Sequence, residues 1–204
     1  MTAFACAIGG YLSGSIPFAL VASRLMGLPD PRTYGSGNIG ATNVLRSGSR
    51  AAALVTLAGD LGKGWLAVLV ALRLGLGQEL VALTGFAAFL GHLFPVWLRF
   101  RGGKGVATAA GVLIAFDWRL GLAALAVWLA VVAATRYVSL GSIAAALFAP
   151  AAAWYYFGAG PVFAAVCAMA VLLVARHRAN IGKLARGHES RLGDKKAKDA
   201  EAVT

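Results

Sequence analysis

The sequence predicts an all-α integral membrane protein, a seven-transmembrane-helix bundle with its N-terminus outside and its C-terminus cytoplasmic. Three observations predict it. Apolar residues make up 59% of the chain and charged residues 13%, with a mean hydropathy of +0.74. Soluble domains sit nearer half apolar and about a quarter charged. Seven apolar segments follow one another, each near the length that a ~30 Å hydrocarbon core requires or a little short of it. Basic residues crowd into alternate connections, the mark of a fixed orientation.

The segments lie near residues 3–26, 51–73, 79–98, 104–116, 119–136, 139–157 and 160–176. Lipid offers no partner to a free backbone N–H or C=O, so these spans should be helices. The fourth is short, and the fifth and sixth are separated by almost nothing. Gly9, Gly10, Gly14, Gly85, Gly111, Ala144 and Ala145 recur along the spans and permit close helix packing. No internal repeat pairs two halves. Residues 1–190 read as one membrane domain and 191–204 as a charged, disordered cytoplasmic tail. No Lys or Arg precedes the first apolar run, which is too long for a signal peptide's core.

Charge sets the orientation. Arg24, Arg32, Arg46 and Arg50 follow the first segment; Arg99, Arg101 and Lys104 follow the third; Arg136 follows the fifth. Arg176, Arg178, Lys183, Arg186, Arg191, Lys195, Lys196 and Lys198 lie beyond the seventh. These are sixteen of the nineteen Lys and Arg residues; the other connections hold Arg73 and Arg119, and Lys63 falls inside the second segment. Sixteen against two puts the C-terminus in the cytoplasm. A net charge of +11 would point to nucleic acid in a soluble protein. Here it reports orientation and contact with anionic lipid or substrate, so no nucleic-acid partner is expected. Cys6 and Cys167 both lie in apolar segments, which indicates neither a disulfide nor a metal site.

The unusual polar stretches all fall on that cytoplasmic side. The first is Gly35-Ser36-Gly37-Asn38-Ile39-Gly40-Ala41-Thr42-Asn43, with Arg46 closing the run. Its glycines allow positive φ and close approach of a ligand, and successive N–H groups in such a loop form an anion-binding concavity. Arg46 brings a fork suited to phosphate or carboxylate. Alone, the run also suits a polar turn between helices. The second stretch joins His92, at the end of the third segment, to Gly102-Gly103-Lys104-Gly105 at the start of the fourth. A helix N-terminus favours an anion and Lys104 adds a point charge. It is not a Walker A loop, because Gly105 rather than Ser or Thr follows Lys104. A re-entrant turn with a lipid-facing lysine would look similar.

The third stretch, Arg176 to Leu184, continues to Gly187-His188-Glu189. If the last helix runs on, His177 and Asn180 share a face. A basic cluster here also suits an anchor to anionic lipid. Ser139 and Ser142 bring hydroxyls to the same side. Asp60 and Lys63 stand apart, at i and i+3 within the second segment, spaced to pair. Intramembrane charge marks either function or a structural ion pair.

Together these stretches closely resemble the bacterial acyl-phosphate-dependent glycerol-3-phosphate acyltransferases, the PlsY family. The resemblance runs from Gly35 to Glu189 and rests on three motifs in the family's order: GSGNIGATN with Arg46, GHLFPVWLRFRGGKGVAT, and RHRANIGKL with the later Glu189. It implies a seven-helix enzyme of the bacterial inner membrane that uses no metal or cofactor. It also implies acyl transfer from acyl phosphate to the 1-hydroxyl of glycerol 3-phosphate, giving lysophosphatidate and phosphate. Ser36, Arg46, His92, Lys104, Ser142, His177, Asn180 and Glu189 match the family's positions. The expected site has Ser36, His177 and Asn180 as catalytic residues. Gly35, Gly37, Asn38, Gly40, Thr42, Asn43, Arg46, His92, Gly102, Gly103, Lys104, Gly105 and Ser142 are expected to bind substrate. Asp60, Lys63 and Glu189 are expected to support it.

The chemistry agrees with the residues. Both substrates carry phosphate, and the two glycine loops with Arg46 and Lys104 supply donors for two anions. An acyl phosphate has a good leaving group, which lessens the need for an Asp-activated histidine. No HxxxxD spacing follows His92, His177 or His188. The proton acceptor stays open between His177 and a substrate phosphate oxygen. The competing class is a transporter for a phosphate-bearing anion; crowding of the motifs onto one face counts against it, since alternating access wants polar groups at the midplane.

Overall fold

The computed structural model describes residues 1–193. All the regular elements of the described residues are helices, joined by loops and turns. The first expected span, 3–26, is two helices, α1 (Thr2–Gly14) and α2 (Phe18–Leu25). Pro17 causes the break, since it has no N–H to donate and its ring obstructs the preceding turn. A loop then leads to α3 (Ala41–Val44), a 3-10 turn (Leu45–Ser47) and α4 (Arg50–Arg73). Ser49 caps α4 by accepting from the Ala52 N–H. The next helix, α5 (Gln78–Leu93), ends before Pro95 and a second 3-10 turn (Val96–Leu98).

The fourth expected span shrinks to α6 (Val106–Phe116), 11 residues and about 16 Å long. Lys104 and Gly105 stay outside it because Gly105 takes a left-handed φ of 84° at the N-cap. Asp117 accepts from the Arg119 N–H and caps α7 (Trp118–Thr135). Then come α8 (Val138–Phe157) and α9 (Pro161–Arg176), followed by α10 (Arg178–Ala185) after a 55° bend. Among the described residues five stretches are long and apolar enough to cross a membrane, or six if α9 and α10 count as one. This is fewer than the seven the sequence predicts, and the difference lies in α6 and in the short, bent α9–α10 pair.

Helices meet where side chains vanish. A Cβ on Gly14 would lie 1.9 Å from the Ala88 carbonyl oxygen, and one on Gly91 would lie 2.2 Å from that of Tyr11. Gly64 and Gly111 do the same for α4 against α6. Such approaches replace the hydrophobic effect, which lipid removes, with close van der Waals packing. Val68, Phe89, Leu93, Val112, Met169 and Leu173 form the core where α4, α5, α6 and α9 converge. Leu113, Leu120, Ala149, Val162 and Val166 continue it towards α7 and α8. Leu54, Leu66, Val70, Leu129, Leu147 and Val171 stay exposed, an apolar exterior for acyl chains.

Candidate active site

The first glycine run is a loop pinned from inside. Asn43, buried at the end of α3's first turn, accepts from the Ser36 N–H at 2.8 Å and donates to the carbonyls of Pro31 (2.7 Å) and Tyr34 (3.3 Å). The Gly37 N–H bonds to the Tyr34 carbonyl at 3.0 Å. Gly35 and Gly37 have φ of 58° and 65°. Two amides of the expected anion concavity are therefore engaged within the loop. What the loop turns outward is the exposed Ser36 and Thr42, the half-buried Asn38, and Arg46. Arg46 donates to Ser190 Oγ at 3.0 Å, which ties the loop to the segment after α10. Gly40 needs no side chain for a different reason, since a Cβ there would lie 3.0 Å from Asn38 Nδ2.

The second run is held front and back. The Gly102 and Gly103 N–H groups donate to the Leu93 and His92 carbonyls at the end of α5, at 3.1 and 3.2 Å. Their own carbonyls accept from Arg176, at 2.6 Å from Nη2 and 3.1 Å from Nε. The Arg176 guanidinium also lies 5.7 Å from the centre of the Phe94 ring. Arg99 and Phe100 carry positive φ of 51° and 62°, an uncommon backbone for residues with a Cβ. Hydrogen bonds from Phe100 N–H to Pro95 O and from Arg101 N–H to Leu98 O hold that turn. The sequence led to the expectation that Gly102 and Gly103 bind substrate. Protein lies against both: a Cβ on Gly102 would meet His92 O at 2.1 Å, and one on Gly103 would meet His92 Nε2 at 2.3 Å. The first bond inside α6 runs from Ala109 N–H to Gly105 O, leaving the preceding N–H groups of its first turn at the Lys104 end.

The third stretch closes the site. His177 sits at the bend between α9 and α10 and is 2% exposed. Its Nδ1 lies 2.8 Å from the Leu173 carbonyl, which can only accept, so Nδ1 carries the proton and the neutral ring keeps a lone pair on Nε2. Asn180 follows in the first turn of α10. Its Oδ1 accepts from Lys104 Nζ, and its Nδ2 donates to Glu189 Oε1 at 2.6 Å. Glu189 Oε1 also accepts from Ser139 Oγ at 2.6 Å. Beyond it, the Leu192 N–H bonds to the Arg136 carbonyl at 2.7 Å, Arg136 donates back to Leu192 O, and Arg191 Nε donates to Tyr137 Oη at 3.1 Å. Residues 194–204 of the expected tail lie outside the described residues.

Three sequence motifs thus meet at one end of the bundle, joined as Lys104–Asn180–Glu189 with Arg46 beside it on Ser190. Sequence reasoning missed two participants. Arg176 was legible only as a basic residue ending a span, and Ser139 only as a neighbour of Ser142. Ser142 itself donates to Val138 O and accepts from Trp128 Nε1, inside the helix packing. His92, Asp60 and Lys63 lie deeper, all buried. Lys63 Nζ is 2.7 Å from Asp60 Oδ1, so the expected pair forms.

Charge in the site is lopsided. Burial pulls the Lys104 ammonium below the usual lysine range; Glu189 opposes this, and Lys183, Arg46 and Arg176 add to it. Several cations around one carboxylate leave positive potential for a multivalent anion.

Known proteins agree with that chemistry. The sequence model of a family described as glycerol-3-phosphate acyltransferase matches residues 4–187. A glycerol-3-phosphate acyltransferase of Ralstonia nicotianae is 58% identical over 197 residues, covering 93% of this chain and 94% of the relative. That of Paraburkholderia phytofirmans is 56% identical over 200 residues, covering 96% and 94%. Two crystal structures of PlsY (YgiH), an integral membrane glycerol 3-phosphate acyltransferase, superpose over 95% of this chain and 96% of theirs. The glycerol 3-phosphate form gives a TM-score of 0.89 at 38% identity and the lysophosphatidic acid form 0.88 at 37%. Sequence, fold and a cationic site built from the three motifs therefore converge, and the chain belongs to the glycerol-3-phosphate acyltransferase family.

Proposed function

We infer that this membrane acyltransferase moves a fatty acyl group from acyl phosphate to the 1-hydroxyl of glycerol 3-phosphate, releasing lysophosphatidate and inorganic phosphate. The observation that carries the reading is the meeting of Lys104, Asn180, Glu189 and Arg46 at one end of an apolar bundle, with cations in excess. The hydroxyl oxygen attacks the acyl carbon, the bond from that carbon to the phosphate oxygen breaks, and the departing phosphate takes up the hydroxyl's proton. Lys104 and the N-terminal turn of α6 hold one phosphate; Arg46 and the outward side chains of the first loop hold the other. Ser36 and Asn180 stabilise the oxyanion of the tetrahedral intermediate. His177 relays the proton through Nε2. A transporter would need none of these transition-state contacts.

What the loops lack supports acyl phosphate as the donor. Adenine of a CoA thioester wants an aromatic slot at the membrane surface. Tyr34, the one aromatic of loop 26–50, has its hydroxyl buried, and no aromatic follows Phe163. Trp97 and Phe100 are exposed in the loop after α5, where amphipathic and apolar rings serve as interfacial anchors. A compact phosphate head fits the site without such a slot. With purified protein and glycerol 3-phosphate, acyl phosphate supports transfer with phosphate release, and acyl-CoA of equal chain length does not. Equal rates with both donors would overturn the assignment.

The two polar residues divide between binding and chemistry. Ser36→Ala lowers kcat more than it alters KM, because its partner is charge that develops during reaction. A change in KM alone would make the hydroxyl a ground-state contact.

Lys104 gives a pH signature. Its ammonium is held below the ordinary lysine pKa of 10.5, so charge is lost as pH rises before a free lysine would lose it. KM for glycerol 3-phosphate therefore climbs on an alkaline limb that starts below pH 10.5, full binding lying on the acidic side. Lys104→Arg, which stays charged, removes the limb even where it binds more weakly at neutral pH. An identical limb in both enzymes would assign it elsewhere.

The sixteen-to-two charge split supports seven crossings, with α6 as a short one, the active site and C-terminus in the cytoplasm of a bacterial inner membrane, and the N-terminus outside. In a background without Cys6 and Cys167, an impermeant thiol reagent applied to intact cells labels Arg73→Cys and spares Lys196→Cys. The reverse pattern would place the site on the other face.

A further inference from the structure

Asp60 lies ten residues into α4, about 15 Å from its start, inside an apolar helix long enough to cross a membrane. Charge in such a helix is expensive, and a buried ion pair often adds nothing over well-packed apolar residues. The pair is nevertheless built with care. Asp60 Oδ1 lies 2.7 Å from Lys63 Nζ and 3.5 Å from His92 Nδ1. That same Nδ1 lies 3.1 Å from Thr108 Oγ1 on α6. Lys63 Nζ makes a second bond, at 2.8 Å, to the Ile16 carbonyl in the break between α1 and α2.

These contacts fix one edge of the imidazole, and the other edge faces the phosphate loop. His92 Nε2 abuts Gly103 so closely that a Cβ there would lie 2.3 Å away, and the His92 carbonyl takes the Gly103 N–H at 3.2 Å. The cluster also shares its packed space with Ile39 of the first glycine run and Pro95 of the second. It therefore underlies both loops at once.

We propose that Asp60, Lys63 and Thr108 are positioning residues: they lock the His92 ring against Gly103 and thereby set the shape of the Gly102–Gly105 loop that presents Lys104 to substrate phosphate. His92 acts through the loop and not on the substrate. The inference rests on the reading that this loop binds phosphate.

The test compares kinetics of purified enzyme at saturating acyl phosphate while glycerol 3-phosphate is varied. A pairless enzyme, Asp60→Leu with Lys63→Met, removes both charges together and avoids leaving one uncompensated. Thr108→Val removes the hydroxyl at similar volume, and Thr108→Ser restores it. Lys104→Ala is measured alongside. The expected result is a KM for glycerol 3-phosphate raised roughly tenfold or more in the pairless and Thr108→Val enzymes, with kcat within about threefold of wild type. Thr108→Ser returns KM towards wild type. A purely structural pair would lower thermal stability or yield without that split. If the pairless enzyme does not fold, the Val and Ser variants at position 108 decide. A wild-type KM in the pairless and Thr108→Val enzymes, beside a raised KM in Lys104→Ala, would overturn the inference alone. An unaltered KM in Lys104→Ala would overturn the phosphate-loop reading and the inference with it.

Discussion

Arg176 holds the carbonyls of Gly102 and Gly103 while the end of α5 takes their amides, and the site's architecture depends on that double grip. A loop at the edge of the hydrocarbon region has little water to satisfy its backbone, so each peptide must find a partner in the protein. Hydrogen bonds to a charged donor contribute roughly 1.5–3 kcal/mol each, enough to hold a turn in which two non-glycine residues sit at positive φ. With the loop fixed from α9 on one side and α5 on the other, Lys104 emerges beside Asn180 at the start of α10. The chain bends by 55° at His177, and Asn180 lies just beyond the bend.

The cations then need an explanation. Lys183, Arg46 and Arg176 all push electrostatically on Lys104, and Glu189 opposes them. Glu189 is already shared between Asn180 and Ser139, so it neutralises only part of that charge. An excess of cations around one carboxylate favours an anion. Asn180 is central because an amide bridges a cation and a carboxylate that would otherwise pair directly. It leaves the ammonium free to make further bonds.

Much of this was legible in the sequence, and unevenly so. The helical class, most spans and the three motifs were visible because hydropathy and clusters of small polar residues are local properties. The Asp60–Lys63 pair was visible because a helix has a fixed period. The split of the first span at Pro17 and the shortness of α6 were harder, since both depend on where a loop's glycines stop and a helix starts. That His92 crowds Gly102 and Gly103 was not legible; which object crowds a glycine is a tertiary fact. Arg176 was hidden for the same reason. An arginine at the end of a membrane span looks like an anchor until its acceptors, two carbonyls distant by more than seventy positions, are known.

The glycines of the two loops therefore divide by task. Gly35, Gly37 and Gly105 have positive φ, which other residues adopt only at a cost. Gly102 and Gly103 have ordinary backbone and are small because protein lies against them. Substitution acts differently on the two groups: at the first it strains the turn itself, and at the second it pushes on His92 and the end of α5. The second kind of glycine couples the loop to the buried Asp60–Lys63–His92 cluster, so the loop's shape is a property of the bundle beneath it and not of the loop sequence alone. A short, glycine-rich connection would otherwise be among the most mobile parts of the molecule. Packed onto the His92 ring and gripped by an arginine, the loop holds Lys104 in a fixed place beside Asn180.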